Sequence, residues 1–385
     1  MAQIWQWMVA GPAGEMRNLR VAFRVDASLQ VGTGHVMRCL TLADALRECG
    51  VSCTFVCRPH QGHLLALITQ RGHQTLALPK LQESAQTNCN GTAHAHWLCT
   101  DWAADAQDTQ QMLSGGPPVD WLVVDHYALD ARWEEVLRPQ ARRIMVIDDL
   151  ADRPHACDLL LDQNLGRQEA DYGGLLKGQT TPLIGPQYAL LRPEFLALRA
   201  QSLARRQSDP QLRRLLVTMG GVDKDNITGQ VLAALQSCGL PADLRVIVVL
   251  GPHAPWLAQV QEQVTHMPWF TKVLVGVDNM AQLMADSDLA IGAAGGTAWE
   301  RCSLGLPSLV LVLAQNQLLG AVALQDVGAA VAMESQQQVL NFMEQFKSAS
   351  LTKEVLTKLS KAAAAVTDGE GCQRTVKHML EGAHG

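Results

Sequence analysis

LRVAFRVDASLQVGTGHVMRCLTLADALREC, residues 19–49, is the stretch that decides the fold. LRVAFRV (19–25) is an apolar run of strand length. Gly32 and Gly34 bracket a turn, and from Val36 to Cys49 the apolar residues recur at helical spacing. A strand that passes through a glycine turn into a helix is the repeating unit of a parallel α/β sheet.

The chain repeats that unit. VSCTFVC (51–57) reads as a strand and HLLALITQRG (63–72) as a helix stopped by glycine. The polar stretch 80–100 reads as loop, with a lid as one role for it, and residues 103–113 read as a helix. DWLVVDHY (120–127), RRIMVIDD (142–149) and DLLLDQN (158–164) are strands that end in polar residues, with the short helix WEEVLRP (133–139) between the first two. Apolar strands with polar C-terminal ends predict a parallel sheet with a functional rim. RPEFLALRAQSLARRQ (192–207) reads as a linking helix. Five more strands follow, RRLLVTMGG (213–221), LRVIVVLGP (244–252), TKVLVGV (271–277), SDLAIGAAGG (287–296) and PSLVLVLAQN (307–316), and then a helical tail, 351–383. The expected organisation is therefore an extension over 1–18, one Rossmann-like domain over 19–191, a linking helix over 192–210, and a second Rossmann-like domain over 211–385. The two sets of strand ends are expected to face a central cleft.

Length and composition agree with two domains. The 385 residues are 48% hydrophobic, enough to fill two cores. The formal net charge of −6 argues against a general nucleic-acid binder, which shows a basic face. The ten cysteines are scattered and form no CxxC pair. Cys49, Cys53 and Cys57 recur every fourth residue, a spacing that suits a metal, but free cysteines more often serve as small buried hydrophobes. A reducing cytoplasm is the expected setting. The N-terminal stretch lacks the basic leader of a signal peptide, and no apolar run reaches the length of a membrane span. Residues 1–15 are expected to be a disordered extension or the product of a misplaced start, with Met16 the natural beginning.

The glycine turns carry the chemistry. VGTGHVMR is not a P-loop, because GxxxxGK[ST] is absent, and no GxGxxG with a following acidic partner points to a dinucleotide. Gly32 and Gly34 permit close backbone approach, and the helix behind them offers free N–H groups. His35 at that helix start suits a general base held neutral beside an anion, and it equally suits a histidine that only caps the helix. Asp125, His126 and Tyr127 end a strand and are expected to project into the cleft. The carboxylates of DDLADRPHACDLLLDQN (148–164) fit glycoside chemistry or a metal, although loop-building hydrogen bonds are their commoner use. TMGGVDKDN (218–226) and GAAGGTAWE (292–300) are the two glycine turns of the second domain; Gly295, Gly296 and Thr297 of the latter can cradle a diphosphate, and Gly220 and Gly221 of the former are further expected substrate-binding residues. Glu300, one helical turn on, can reach two ribose hydroxyls. AQNQ (314–317) ends the next strand and brings Asn316 and Gln317 to the same rim.

Taken together, RVDASLQVGTGHVMRCLTLA, VVDHYALDARWE, DDLADRPHACDLLLDQN, GPQYALLRPEF, MGGVDKDN and the GGTAWE…AQNQ pair resemble the UDP-2,4-diacetamido-2,4,6-trideoxy-β-L-altropyranose hydrolases, from about Leu19 onward. The last pair also suits a related enzyme of GT-B architecture, the lipid II-forming N-acetylglucosaminyltransferase. The resemblance implies an α/β GT-B fold and hydrolysis of a UDP-sugar at its anomeric carbon. The released sugar would go to pseudaminic acid and thence to flagellin or surface glycans. It implies His35 as the catalytic base, with Asn316 and Tyr127 as further catalytic residues. Arg24, Asp26, Gly32, Gly34 and Gln317 join the expected substrate-binding set, and Asp26 is also a candidate orienter of His35. No metal, cofactor, nucleic acid or membrane is required, and a cytoplasmic monomer is expected. The rival readings are a GT-B transferase acting on a UDP-amino sugar and a non-enzymatic UDP-sugar sensor.

Overall fold

A computed structural model describes residues 19–81, 94–343 and 349–382. The chain divides into two units. The first ends at Asp162, adds Glu169–Leu183, and takes up the chain again from Gln373; the second is Gln163–Gln168 with Ile184–Cys372.

The first unit is built on a seven-stranded sheet of order β3-β2-β1-β4-β5-β6-β7. Its strands are β1 (Arg20–Val25), β2 (Ser52–Cys57), β3 (Gln74–Ala77), β4 (Val119–Asp125), β5 (Ala141–Ile147), β6 (Leu159–Asp162) and β7 (Thr181–Ile184). Strands β1 to β6 pair in parallel. Phe23 and Phe55 stack at 4.7 Å between ring centroids, and Leu122, Val123 and Ile144 are fully buried. Strands buried on both faces explain why these runs read as continuously apolar. The order reverses between β1 and β4, and there Val25 lies opposite Asp125. Parallel neighbours end on the same side, so the turn after β1 and the polar end of β4 are held together by register alone.

The second unit repeats the plan with six parallel strands in the order β10-β9-β8-β11-β12-β13. These are β8 (Arg214–Thr218), β9 (Arg245–Leu250), β10 (Phe270–Val275), β11 (Leu289–Ala293), β12 (Ser308–Leu311) and β13 (Val331–Met333). Leu215, Val217, Val246, Val248, Leu289 and Ile291 form the centre of its core. The switch point falls between β8 and β11, the strands that feed the two glycine turns. At Gly292 a Cβ would meet the Thr218 carbonyl at 2.7 Å and the Arg301 guanidinium at 2.8 Å, so glycine is required by close approach.

The expected strands are present, with three more. The strands β3, β7 and β13 have only three or four residues, too few to show a period. The expected linking helix is Pro193–Ser208 and packs as part of the second unit. Arg206 lies buried there, donating to Leu304, Ser287 and Met284 carbonyls. The chain from Gln373 returns to the first unit, where Trp121 donates its indole N–H to the Met379 carbonyl at 3.0 Å. The expectation for residues 1–15 lies outside the described residues, as does 82–93 of the proposed lid; Ala95–Leu98 form a turn of 3₁₀ helix.

Candidate active site

On the first unit, the turn after β1 is closed by its own short bonds. The Ser28 carbonyl accepts from Gly32 N at 2.8 Å, and the Ser28 hydroxyl accepts from Val31 N at 2.9 Å. Gly32 takes φ +80°, which a side chain would strain. The helix Gly34–Glu48 then begins without a side-chain cap on its first N–H groups. His35 therefore does not sit at this helix start to cap it.

The imidazole is held by Asp125 instead. His35 Nδ1 lies 2.6 Å from Asp125 Oδ1. A carboxylate only accepts, so at that distance Nδ1 carries a proton, and in the neutral ring the lone pair is then the one on Nε2. Arg38 Nη2 also lies 3.3 Å from Nδ1, but both are then donors and this longer contact is not a bond. Arg38 grips Asp125 through both oxygens, Nε to Oδ2 and Nη2 to Oδ1, each at 2.7 Å. Its Nη1 reaches Asp149 at 2.8 Å. Burial works against ionisation of Asp125, yet Arg38 and His35 overcome it and hold the carboxyl well below its usual range. The result is a histidine fixed in one tautomer by a buried, clamped carboxylate, an arrangement fit to take a proton at Nε2.

Tyr127 completes this corner. Its hydroxyl donates to Asp149 Oδ2 at 2.6 Å, and its ring stands edge-on to the imidazole of His35 at 4.6 Å. Arg38 and Asp149 were absent from the expected site residues. Arg38 had a signal, since it is three residues after His35 on one helix and so shares its face. Asp149 lay among many aspartates, and nothing in its spacing separated it from Asp148.

Three expectations need correction. Asp26 is not the orienter of His35. It is fully buried and ion-paired with Arg24 at 2.7 Å, and it accepts from Arg58 N at 2.7 Å. Arg24 is likewise fully buried and bridges Asp26 to Asp105, which also binds Arg58 and the Trp133 indole. Both residues are thus spent inside the first unit rather than offered to a substrate. Asp125 and Tyr127, both buried, do not project outward as expected, and nor does His126. Its Nδ1 accepts from Ala128 N at 3.1 Å, and its Nε2 turns to Asp26 at 3.5 Å. The neighbouring carboxylates are structural: Asp148 takes Arg153, Ala151 N and the Tyr172 hydroxyl, and Asp162 takes that same hydroxyl. Among the described residues, no cluster of three or more histidine, cysteine, aspartate or glutamate side chains could hold a metal ion, and the described cysteines are free thiols.

On the second unit, Gly220 takes φ +95° in the turn after β8. Asp223 closes that turn by accepting from Ile227 N and Thr228 N at 2.9 Å each. After β11, Gly295 and Gly296 lead into the helix Thr297–Ser303, whose first N–H groups have no side-chain cap. A Cβ on Gly296 would meet nothing within 4 Å. The Gln317 amide comes within 3.6 Å of where a Cβ on Gly295 would stand, so the AQNQ turn adjoins the glycine turn. Asn316 is exposed on that turn. Glu300 is mostly buried, with Arg192 at 3.5 Å; burial raises its carboxyl above the usual value against the pull of Arg192 and Arg301. Arg301 is fully buried behind the turn and bonds the Ala293 carbonyl at 2.8 Å and the Thr297 hydroxyl at 3.3 Å. No carboxylate pairs with it among the described residues, and burial lowers its guanidinium to about 10. Ala298 N and Trp299 N donate to the Gly295 and Gly296 carbonyls at 2.8 and 3.2 Å, and the Arg301 cation lies buried behind that turn.

Residues 214–374 match the glycosyltransferase family 28 C-terminal domain. The chain superposes on the crystal structure of MurG from Acinetobacter baumannii with a TM-score of 0.65 at 15% identity, covering 94% of this chain and 99% of that one. The fold is therefore α/β of the GT-B type, with two Rossmann-like units. Among curated relatives, the chain is 24% identical over 300 residues to the UDP-2,4-diacetamido-2,4,6-trideoxy-β-L-altropyranose hydrolase of Campylobacter jejuni, covering 78% of this chain and 93% of that one. The resemblance carried by the sequence motifs is thereby borne out. The chain is also 24% identical over 304 residues to protein MJ1062 of Methanocaldococcus jannaschii, covering 78% of this chain but 56% of that longer relative's length.

Proposed function

We propose that this protein hydrolyses a UDP-sugar at the anomeric carbon, the substrate being UDP-2,4-diacetamido-2,4,6-trideoxy-β-L-altropyranose. The observation that carries the reading is the 2.6 Å contact of His35 with a buried carboxylate at the switch point of the first sheet. It leaves Nε2 as a base, and general-base help of this kind is worth about 10²–10⁴-fold. The named hydrolase relative and the glycosyltransferase family 28 domain support an enzyme that uses a nucleotide sugar.

In the proposed step, Nε2 of His35 takes a proton from water as the water oxygen bonds to the anomeric carbon. The bond from that carbon to the phosphate oxygen breaks, its electron pair leaves with UDP, and the anomeric centre inverts. Backbone N–H groups at Gly295, Gly296 and Thr297, with Arg301 behind them, stabilise the charge that grows on the diphosphate. Gly220 and Gly221 join the nucleotide side, Glu300 takes the ribose hydroxyls, Asn316 and Gln317 position the sugar, and Tyr127 supports the base from behind by holding Asp149. Gly32 and Gly34 leave room for the substrate beside His35. No helix among the described residues is long and apolar enough to cross a membrane, and the setting we propose is the cytoplasm, in supply of pseudaminic acid synthesis.

Incubation in heavy-oxygen water tests this directly, with UDP and sugar followed by mass spectrometry. Label in the free sugar, lost in His35→Asn, is the expected result. Label in UDP would place the attack at phosphorus and overturn the mechanism. The GT-B likeness favours a second reading, transfer to an acceptor hydroxyl. Turnover that appears only when an acceptor is added would select it.

A further inference from the structure

The mechanism above leaves one group beside His35 unused. Trp97 lies on the 3₁₀ turn Ala95–Leu98, and its indole stacks on Tyr127 with centroids 5.4 Å apart and planes 24° apart. It also stands edge-on to His35 at 6.2 Å, and His94 packs against it at 4.6 Å. Tyr127 is buried and tied to Asp149, so it is a fixed backing for the indole. Trp97 itself is only half-buried. Part of the indole surface is therefore open to a ligand beside His35.

We propose that Trp97 is a specificity-determining residue, forming the wall against which the apolar substituents of the sugar pack. The proposal rests on the hydrolase reading and deepens it. A 2,4-diacetamido-2,4,6-trideoxy sugar carries methyl groups at C6 and on both acetamides, where an ordinary hexose carries hydroxyls. Methyl and ring C–H groups favour the face of an electron-rich indole, and hydroxyls gain less there. The wall is contiguous with the base, because Tyr127 touches both rings. It is also fixed before substrate arrives. Leu98 is buried beside it, and Asp101 starts the next helix by accepting from Ala103 N and Ala104 N at 2.9 Å. An anchored indole loses little freedom on binding, which favours affinity.

Binding in the His35→Asn background tests the wall without turnover. The quantity is the ratio of the Kd for UDP to the Kd for the UDP-diacetamido sugar, measured by calorimetry for Trp97, Trp97→Phe and Trp97→Leu. The leucine variant keeps an apolar side chain but no ring. We expect the phenylalanine variant to hold the ratio within about threefold and the leucine variant to lower it by about tenfold, with UDP affinity unchanged. Equal ratios in the two variants would overturn the proposal, as would a UDP-sugar bound no more tightly than UDP before any change at Trp97. Absence of UDP release by the unmodified protein would overturn the hydrolase reading alone, and the ratio judges Trp97 in either case.

Discussion

His35 Nδ1 and Asp125 Oδ1 lie 2.6 Å apart across 90 residues of chain, brought together by the parallel pairing of β1 with β4. The pairing makes Asp125 a positioning residue rather than a second base. Its carboxylate keeps a proton on Nδ1, so in the neutral ring the lone pair is on Nε2. Asparagine at this position can donate as well as accept, and it no longer dictates the tautomer. Asp125→Asn is therefore expected to lower kcat by about 10²–10⁴-fold with UDP affinity preserved. Rates of UDP release and calorimetry with UDP check both halves. A loss of UDP affinity equal to the loss in rate would show a damaged fold instead.

Arg38 acts one step further back. Burial alone would push Asp125 upward, and the clamp of Arg38 reverses that. In the unmodified protein Asp125 stays ionised at pH values where ordinary carboxylates protonate, so it should not set the acid limb of the pH–rate profile. Arg38→Met leaves burial opposed by His35 and the weak donor Cys39, with no guanidinium against the carboxylate. The expected result is an acid limb displaced to higher pH, with activity recovered on the alkaline side. A profile lowered uniformly, with no displacement, would mean that Arg38 serves the fold rather than the ionisation of Asp125.

How much of this was legible beforehand depends on the range of the interaction. The βα periodicity is local, and the long strands, the glycine turns and the two-domain plan could be read from it. Strand β13, three residues long, could not. His35 was legible because a glycine turn precedes it. The expected partner, Asp26, is the nearest acidic residue before it in sequence, but strand order decides which carboxylate meets the turn. Asp26 is drawn to Arg24, two residues away on the same strand end, and is fully buried with it. Sequence proximity carries no information on that choice. Trp97 was hidden for another reason, since it lies in a polar stretch without a period.

Glu300 offers a test on the second unit that does not depend on chemistry. Its carboxylate sits one turn into the helix after the glycine pair, 3.5 Å from Arg192. If it accepts the ribose hydroxyls, Glu300→Ala weakens UDP by about ten- to a hundredfold, the range of a hydrogen bond to a charged group. A dideoxyribose analogue of UDP should lose almost nothing. Were the analogue weakened as much as UDP, Glu300 would be acting only through Arg192.

The carboxylates that proved structural predict how the first unit responds to acid. Burial disfavours the charge on Asp148, but Arg153 and His155 outweigh it and lower the carboxyl to about 2 from the usual 3.8. A group depressed in the folded state binds its proton more readily when unfolded. Its contribution is therefore whole above the usual carboxylate value and fades as pH falls from 3.8 toward 2. The size is about 2 kcal/mol. Asp148→Asn keeps an acceptor for Ala151 N but gives up the charge facing Arg153, which Asp152 still pairs at 2.9 Å. The variant should unfold at lower denaturant at neutral pH, and the gap from the unmodified protein should narrow near pH 3, on the order of the linkage just given. A gap that stays constant down to that pH would mean that the charge on Asp148 contributes nothing beyond its shape. The acid sensitivity of the unit would then rest on its other buried carboxylates, Asp125 held by Arg38 and the Asp26 and Asp105 pair held by Arg24 and Arg58.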